Sequence, residues 1–202
     1  MKAFRCGLLV LLWAPLAQAA TYYVDATAPG ASDAGPGTEA EPWTRCPGMP
    51  GWAGSAELQP GDSVFFQSAG VWTGSGAEVV LDVAPGVTYD GASWGSGSRA
   101  TLRAEGDLDR SVVSFQGDHP TIQSTVAGFE IDAGGFTTTG VGINWPRSQG
   151  SLSGAAKVVE NCVIHGIWSD SSAGDYEYGI VVSSGWGGGG RSTENVEIRD
   201  CE

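Results

Sequence analysis

Three stretches in the second half of the chain decide the fold: VAGFEI at residues 126–131, VENCVI at residues 159–164 and IRDCE at residues 198–202. In each stretch, apolar residues stand at the first, fourth and sixth positions. In the third stretch the sixth position would be residue 203. The steps from Phe129 to Cys162 and from Cys162 to Cys201 are 33 and 39 residues. A unit this short cannot bury a core alone, so its recurrence predicts a stack of similar units. We expect one column of Phe129, Cys162 and Cys201 and another of Ile131 and Ile164.

A second type of β-like stretch alternates with the first. GVGIN at residues 140–144 matches YGIVV at residues 178–182, with Ile143 aligned to Ile180 at a separation of 37 residues. A chance recurrence in a Val- and Ile-rich β protein is the alternative, but chance would not give both types a similar period. The unequal steps predict loop insertions at residues 132–139, 165–175 and 183–194. Gly128, Asn161 and Asp200 share one column and are predicted to make the tight bend between strands.

The composition predicts an all-β protein. Glycine supplies 32 of the 202 residues, and no helical period extends over more than about a turn. At most a poor helix fits residues 54–58. Residues 26–61 and the GWGGGG tract at 185–190 are predicted loops. Earlier strand-like runs begin at Thr21 (TYYVD), Asp62 (DSVFF), Ala77 (AEVVLD), Val87 (VTYD), Ala100 (ATLRA) and Ser111 (SVVSF).

The first nineteen residues are typical of a secretory signal peptide. Lys2 and Arg5 precede a short apolar run, and Ala17-Gln18-Ala19 forms a small-residue cleavage site. The run is too short to cross a bilayer, and no later stretch is apolar enough to do so. The sequence therefore predicts cleavage after Ala19 and a single secreted or cell-surface domain over residues 20–202.

The net negative charge of the chain argues against nucleic acid as a partner. Cleavage would leave eight basic against 23 acidic side chains, a formal charge of −15. Such acidity argues against nucleic-acid binding, which needs a basic surface. It leaves calcium binding open, although a solvated acidic surface is the favoured interpretation. Cys46, Cys162 and Cys201 are an odd number, so at least one thiol has no internal disulfide partner.

The chain resembles the right-handed parallel β-helix proteins of the pectate-lyase-like superfamily. The segment from Tyr22 to Trp43 (YYVDATAPGASDAGPGTEAEPW) is similar to the opening of many secreted members. The segment from Leu58 to Gly74 (LQPGDSVFFQSAGVWTG) is similar to their next element, a Pro-Gly-Asp turn, a strand and a Gly-x-Trp turn. The resemblance implies a parallel β-helix over the mature chain, with residues 20–61 as a loop-rich N-terminal cap region. It does not imply one activity, because this fold carries lyases, hydrolases, epimerases and binding proteins.

The hydrolase chemistry of that superfamily has no complete motif here. The polygalacturonase-type set of Asn-x-Asp, Asp-Asp, Gly-His-Gly and Arg-x-Lys is absent, and Ile164-His165-Gly166 is its nearest piece. His165 is either a base on the exposed face or a loop residue bonded to backbone, and we favour the second. His119 precedes Pro120 and is predicted to be a turn residue. No catalytic residue is therefore assigned.

A lyase needs a base, and calcium needs converging oxygens. Lys157 is the only lysine after the signal peptide; its strand parity points inward, but a solvent-facing position at a strand start is the favoured interpretation. Arg147, Arg191 and Arg199 are further candidate bases without a motif. The carboxylates Asp170, Asp175 and Glu177 share one loop, and Asp25 and Asp33 another; neither follows an EF-hand spacing.

Carbohydrate binding remains the favoured function. Trp145, Trp168 and Trp186 fall in or beside the loops around the second strand type, where they would either stack on sugars or cover the loop bases. We expect a carbohydrate-binding or structural, adhesive role. The alternative is a polysaccharide lyase or related enzyme on acidic polysaccharide, with rungs missing from this chain. The truncated third repeat predicts the N-terminal part of a longer protein, with Ile, Val or Leu at residue 203.

Overall fold

The protein is all-β over the part of the chain that the structure describes. The computed structural model describes residues 18–76, 79–108, 110–115, 117, 119–137, 139–143, 154–167, 178–182 and 195–202. These residues contain fourteen strands and no helix, so none contains a helix long and apolar enough to cross a membrane. The strands are β1 Thr21–Val24, β2 Ser63–Ser68, β3 Val71–Gly74, β4 Leu81–Val83, β5 Thr88–Gly95, β6 Ala100–Ala104, β7 Val113–Phe115, β8 Ser124–Ala127, β9 Phe129–Asp132, β10 Thr139–Ile143, β11 Lys157–Glu160, β12 Val163–His165, β13 Tyr178–Val182 and β14 Val196–Arg199.

The strands form three sheets in which every pairing is parallel. Sheet 1 has the order β1-β2-β5-β8-β11-β14, sheet 2 the order β4-β7-β10-β13, and sheet 3 the order β3-β6-β9-β12. From β2 onward the chain visits sheet 1, then sheet 3, then sheet 2, and repeats this order. We call each such passage a circuit. Each strand therefore pairs with the strand one circuit later, about 4.8 Å away.

The pairing confirms the register predicted from the first repeat and its column of Ile131 and Ile164. Val126 pairs with Val159, and Val159 with Ile198, in sheet 1. Ile131 pairs with Ile164 in sheet 3. Between these strands the predicted bend has a left-handed backbone, with φ of 71° at Gly128, 51° at Asn161 and 48° at Asp200. Asn and Asp tolerate this conformation better than other side chains, so the corner recurs without a glycine in each copy.

The predicted register of the second strand type is wrong by two residues. Ile143 pairs with Val182, whereas Ile180 pairs with Val141. A shift of two residues keeps each side chain on the same face of its strand, so the alternation of apolar residues could not detect it. Paired residues of the second strand type, such as Ile143 and Val182, are therefore 39 residues apart, which equals the longer step of the first repeat.

The earlier predictions hold in outline, with two differences. The runs predicted from Thr21, Asp62, Val87, Ala100 and Ser111 all contain strands, and Leu81–Val83 forms the strand of the run from Ala77. The predicted Gly-x-Trp turn is instead β3, because Trp72 points into the core and its Nε1 donates to the Thr44 carbonyl at 2.8 Å. Residues 54–58, which at most fit a poor helix, have no regular structure.

The core lies between the three sheets and consists of large apolar side chains. Phe66 packs edge-on against Trp72 and Phe129, with ring centroids 4.9 and 5.1 Å apart. In the loop-rich region before β2, Trp43 is fully buried, stacks on Tyr22 at 4.5 Å and meets Trp52 edge-on at 5.1 Å. The inward side chains thus fix which residues of each strand face outward.

Candidate functional site

A continuous row of side chains crosses the outer surface of sheet 1. Val24, Val64, Phe66, Tyr89, Val126 and Val159 are fully buried on the inner side, so their alternate neighbours point outward. The register aligns these neighbours across all six strands. The row, which we call the outer row, consists of Tyr23, Phe65, Asp90, Ala127, Glu160 and Arg199. Five strand spacings give it a length of roughly 24 Å.

Three partly exposed aromatic rings gather at the β1 end of the outer row. Tyr23 stacks on Phe65 with centroids 5.8 Å apart and meets Trp94 at 5.0 Å with an angle of 67° between the rings. The Trp94 Nε1 donates to Glu39 Oε1 at 3.2 Å, which fixes the orientation of the indole. We call Tyr23, Phe65 and Trp94 the aromatic cluster. Such rings offer apolar faces with polar edges to a ligand.

A shallow groove continues from the aromatic cluster along the outer row. It has a volume of about 580 Å³ and lies at the corner between sheets 1 and 3, where Asp90, Glu160, Asn161 and Asp200 face it. The Asp90 carboxylate accepts bonds from the backbone amides of Ala92 and Ser93, at 2.8 and 2.9 Å. The groove therefore has a fixed wall on the side of β5.

Two arginines border this groove, and both are engaged by neighbouring groups. Arg99 donates to the carbonyl of Asn161 and, at 3.0 Å, to its Oδ1. Arg199 pairs with Glu160 at 3.4 Å and with Glu197. The hydrogen bond that Arg199 donates to Glu197, and then the charge of Glu197, raise the pKa of Arg199 above its ordinary value. Arg199 is thus held in its protonated form and is a poor general base.

Sheet 3 carries a second polar feature on its outer surface, the charged cluster of Arg103, Glu130, Asp132 and His165. The Nε of Arg103 donates to Asp132 Oδ2 at 2.7 Å. His165 lies at the end of β12, with Nε2 at 2.9 Å from Glu130 Oε1 and Nδ1 at 3.6 Å from Asp132 Oδ1. The prediction that His165 bonds to backbone is therefore wrong for its side chain, which lies between two carboxylates.

Asp132 of the charged cluster is not suited to be the acid of a glycosidase carboxylate pair. Partial burial would raise the pKa of Asp132, but the Gly134 amide, Arg103 and His165 outweigh it and lower that pKa below its ordinary value. A glycosidase needs one carboxyl group that stays protonated to act as the acid. Asp132 is instead a firmly ionised acceptor that fixes the turn after β9.

Metal binding finds no support in the described residues. Among them, no three His, Cys, Asp or Glu side chains are placed to hold one ion. The Asp25 carboxylate accepts from the backbone and hydroxyl of Thr27, and the Asp33 Oδ1 accepts from Thr44 and from the Arg45 amide. Both aspartates thus fold the N-terminal loops. The candidate calcium ligands Asp170, Asp175 and Glu177 lie outside the described residues.

Lys157 is buried rather than solvent-facing. It is the first residue of β11, has no exposed surface, and its Nζ lies 3.4 Å from the Ala155 carbonyl. The strand includes Lys157 in its pairing with Ser124 and Val196, so the inward parity of the sequence prevails over the preference of lysine for water. A buried amine on the inner side of the sheet cannot reach a polymer on the outer surface.

The remaining candidates serve the fold or lie outside the described residues. His119 is a turn residue as predicted, and its Nδ1 accepts from the Thr121 and Ile122 amides. Cys46, Cys162 and Cys201 are free thiols; burial raises the pKa of Cys162 to about 12 and that of Cys46 further, so neither is an activated nucleophile. The candidates Arg147, Arg191, Trp145, Trp168 and Trp186 and the tract 185–190 lie outside the described residues.

The aromatic cluster and the charged cluster were not predicted from the sequence. Tyr23 and Phe65 occupy the outward positions of two correctly predicted strands, so their parity was the available signal. Comparison of the chain with protein-family models, with curated proteins and with solved structures gave no match. The interpretation of these surfaces therefore rests on their geometry.

Proposed function

We propose that this chain is a secreted, right-handed parallel β-helix protein that binds carbohydrate on the outer row of sheet 1. Parallel strands visited in a constant cyclic order support the β-helix, and the strong preference for right-handed crossovers supports the hand. The signal-peptide pattern at residues 1–19 supports secretion. Pectate-lyase-like ancestry remains part of the proposal, carried by the resemblance of residues 22–43 and 58–74.

The aromatic cluster is the observation that carries carbohydrate binding. Tyr23, Phe65 and Trp94 expose ring surface on a sheet whose large apolar residues in the strands β8 and β11 are buried, and Trp94 is oriented by Glu39. Pyranose rings have apolar C–H faces and polar edges, which match ring faces flanked by carboxylates and hydroxyls. Each circuit contributes one side chain to the outer row, so the side chains repeat about every 4.8 Å along it. A regular spacing of this kind suits a polymer of similar sugar units.

The lyase alternative has weaker support in the described residues. Of the bases considered, Lys157 faces the core and Arg199 is paired with two glutamates. His165 contacts carboxylates and is exposed, but it lies on sheet 3 and not beside the aromatic cluster. Binding without turnover is therefore the function that the geometry supports best.

Replacing Trp94 or Tyr23 by Ala is expected to weaken polysaccharide binding by roughly 10- to 100-fold. The reason is that burying an aromatic ring against an apolar sugar face contributes roughly 1.5–3 kcal/mol. The measurement is the retardation of the purified protein in native gels containing a soluble polysaccharide, repeated over a series of polysaccharide concentrations.

Phe136→Ala is the matched control for these variants. Phe136 is also an exposed aromatic, at 41%, but it lies in the turn between β9 and β10. We expect this variant to bind as the unchanged protein does. Equal weakening by all three substitutions, or none by Trp94→Ala and Tyr23→Ala, would contradict binding at the aromatic cluster.

A further inference from the structure

The face that carries the outer row is negatively charged. Among the described residues, its carboxylates are Glu39 beside Trp94, Asp90 and Glu160 in the outer row, Glu197 beside it, and Asp200 at the groove. Its cations are Arg99 and Arg199, fewer than the carboxylates. Each like-charge pair at about 6 Å costs roughly 0.7 kcal/mol in water, so several such pairs disfavour an anionic polymer.

The two cations of this face already donate hydrogen bonds to protein oxygens, so a ligand carboxylate would compete with those partners. Arg99 is held by the carbonyl and amide oxygens of Asn161, and Arg199 by Glu160 and Glu197. Recognition of a carboxylate normally uses an Arg or Lys that can offer paired donors. The described lysine, Lys157, lies on the inner side of sheet 1.

The same face suits the hydroxyl groups of a neutral sugar. A parallel line of Thr21, Ser63 and Thr88 runs beside the aromatic cluster, in register across β1, β2 and β5. Hydroxyls donate and accept, while carboxylates such as Asp90 and Glu160 accept strongly from sugar hydroxyls. The roughly 24 Å row accommodates several sugar rings laid end to end.

We propose that the ligand of the outer row is an uncharged, extended glycan chain that runs along the stacking direction of the circuits, and that this face rejects polyuronates. This inference rests on the proposed carbohydrate-binding function and specifies its ligand class. It separates this chain from the acidic-polysaccharide alternative considered from the sequence.

The test is native gel retardation with glucomannan and hydroxyethylcellulose as neutral polymers, polygalacturonate and alginate as polyuronates, and chitosan as a cationic polymer. Each gel is run with calcium or EDTA and at two salt concentrations. We expect retardation by a neutral polymer that salt and EDTA leave unchanged and that Trp94→Ala weakens at least about tenfold. Polyuronates are expected to bind at least about tenfold more weakly.

The outcomes separate the ligand class from the function. Retardation by polyuronate or chitosan alone, reduced by Trp94→Ala, would overturn the neutral-glycan inference and leave carbohydrate binding intact. Retardation by no polymer, or retardation that Trp94→Ala leaves unchanged, would overturn the proposed function itself. A Glu160→Gln, Glu197→Gln variant frees Arg199; a gain of polyuronate binding by this variant supports charge as the cause of rejection, and no gain contradicts it.

An independent observation concerns the predicted cleavage point. Asp62 is almost fully buried, with 2% exposure, and its Oδ1 accepts from the backbone nitrogen of Ala20 at 2.8 Å. Its Oδ2 accepts from the Gln59 amide at 2.8 Å, and the Ala20 carbonyl accepts from Ser63. The nitrogen held by this buried carboxylate is the one that cleavage after Ala19 would release.

We infer that Asp62 is the binding site of the processed N-terminus. Hydrolysis of the Ala19–Ala20 bond by a signal peptidase consumes one water, releases Ala19 as a carboxylate and leaves Ala20 as an ammonium group at neutral pH. The hydrogen bond from an uncharged amide to the Asp62 carboxylate then becomes a part-buried ion pair at an unchanged position. This inference rests on the predicted signal peptide.

The test combines the intact mass of the secreted protein with a double-mutant cycle. The mass is expected to correspond to a start at Ala20. One extra Gly before Ala20 should lower the melting temperature by about 2–4 °C, and should have at most half that effect in Asp62→Asn, which keeps an acceptor oxygen. A different start, or an equal effect of the Gly in both backgrounds, would overturn the inference.

Discussion

Replacing Phe129 by Ala is expected to lower the free energy of unfolding by about 3–5 kcal/mol. Phe129 is fully buried where β9 enters the core, and its ring meets Phe66 of β2 edge-on at 5.1 Å. It also lies against Gly91, where any side chain would collide with the ring. Truncation thus leaves a cavity bounded by three strands of two sheets, which cannot easily close. Chemical denaturation followed by circular dichroism measures the loss.

Phe136→Ala is again the matched control, since it removes the same ring from an exposed position four residues beyond β9. We expect its stability to stay within about 0.5 kcal/mol of the unchanged protein. A loss below about 1 kcal/mol for Phe129→Ala would mean that the three sheets do not enclose a common, tightly packed core.

Gly128→Ala is expected to destabilise the protein by about 2–5 kcal/mol. Gly128 has φ of 71°, and an added Cβ would lie 2.6 Å from the Cβ of Ala92 on the preceding circuit. The left-handed backbone costs a non-glycine residue about 1–2 kcal/mol, and overpacking adds about 1–3 kcal/mol. The same denaturation measurement applies.

Asn161→Gly provides the contrasting variant at the next corner of the same column. Glycine adopts the φ of 51° at this position with less strain than asparagine, which favours the variant. The substitution also removes the hydrogen bond that Arg99 donates to the Asn161 side chain, which disfavours it. These effects oppose each other, so we expect a net change below about 1 kcal/mol. If Gly128→Ala were as mild as Asn161→Gly, close packing at this corner would be refuted.

The first repeat could be predicted because its spacing contains a corner. Two strands of opposite parity joined by one left-handed residue place apolar side chains at i, i+3 and i+5, as in Val126, Phe129 and Ile131. A simple strand would not produce that interval. The second strand type contains only alternation, and alternation is unchanged by a two-residue shift, so Ile143 was aligned with Ile180 instead of Val182.

Contacts between surface side chains of different circuits could not be predicted from the sequence. His165 and Glu130 lie 35 residues apart, and Trp94 and Glu39 lie 55 apart. Trp94 also follows an irregularity in the register between β2 and β5, which hides its relation to Gln67. For Lys157, strand parity predicts the inward position that the structure shows, whereas the usual exposure of lysine predicts a solvent-facing one.

Because the chain visits its sheets in a constant order, the number of circuits sets the length of the outer row. Every circuit adds one side chain to the outer row and about 4.8 Å to its length, whatever the size of the loops between strands. Inserting or deleting a loop residue would leave the row unchanged, whereas inserting or deleting a whole circuit would lengthen or shorten it by one fixed increment. From β2 onward the length of the outer row therefore changes in discrete steps, each of which takes 25 to 39 residues of chain, the separations of the paired residues Phe65, Asp90, Ala127, Glu160 and Arg199.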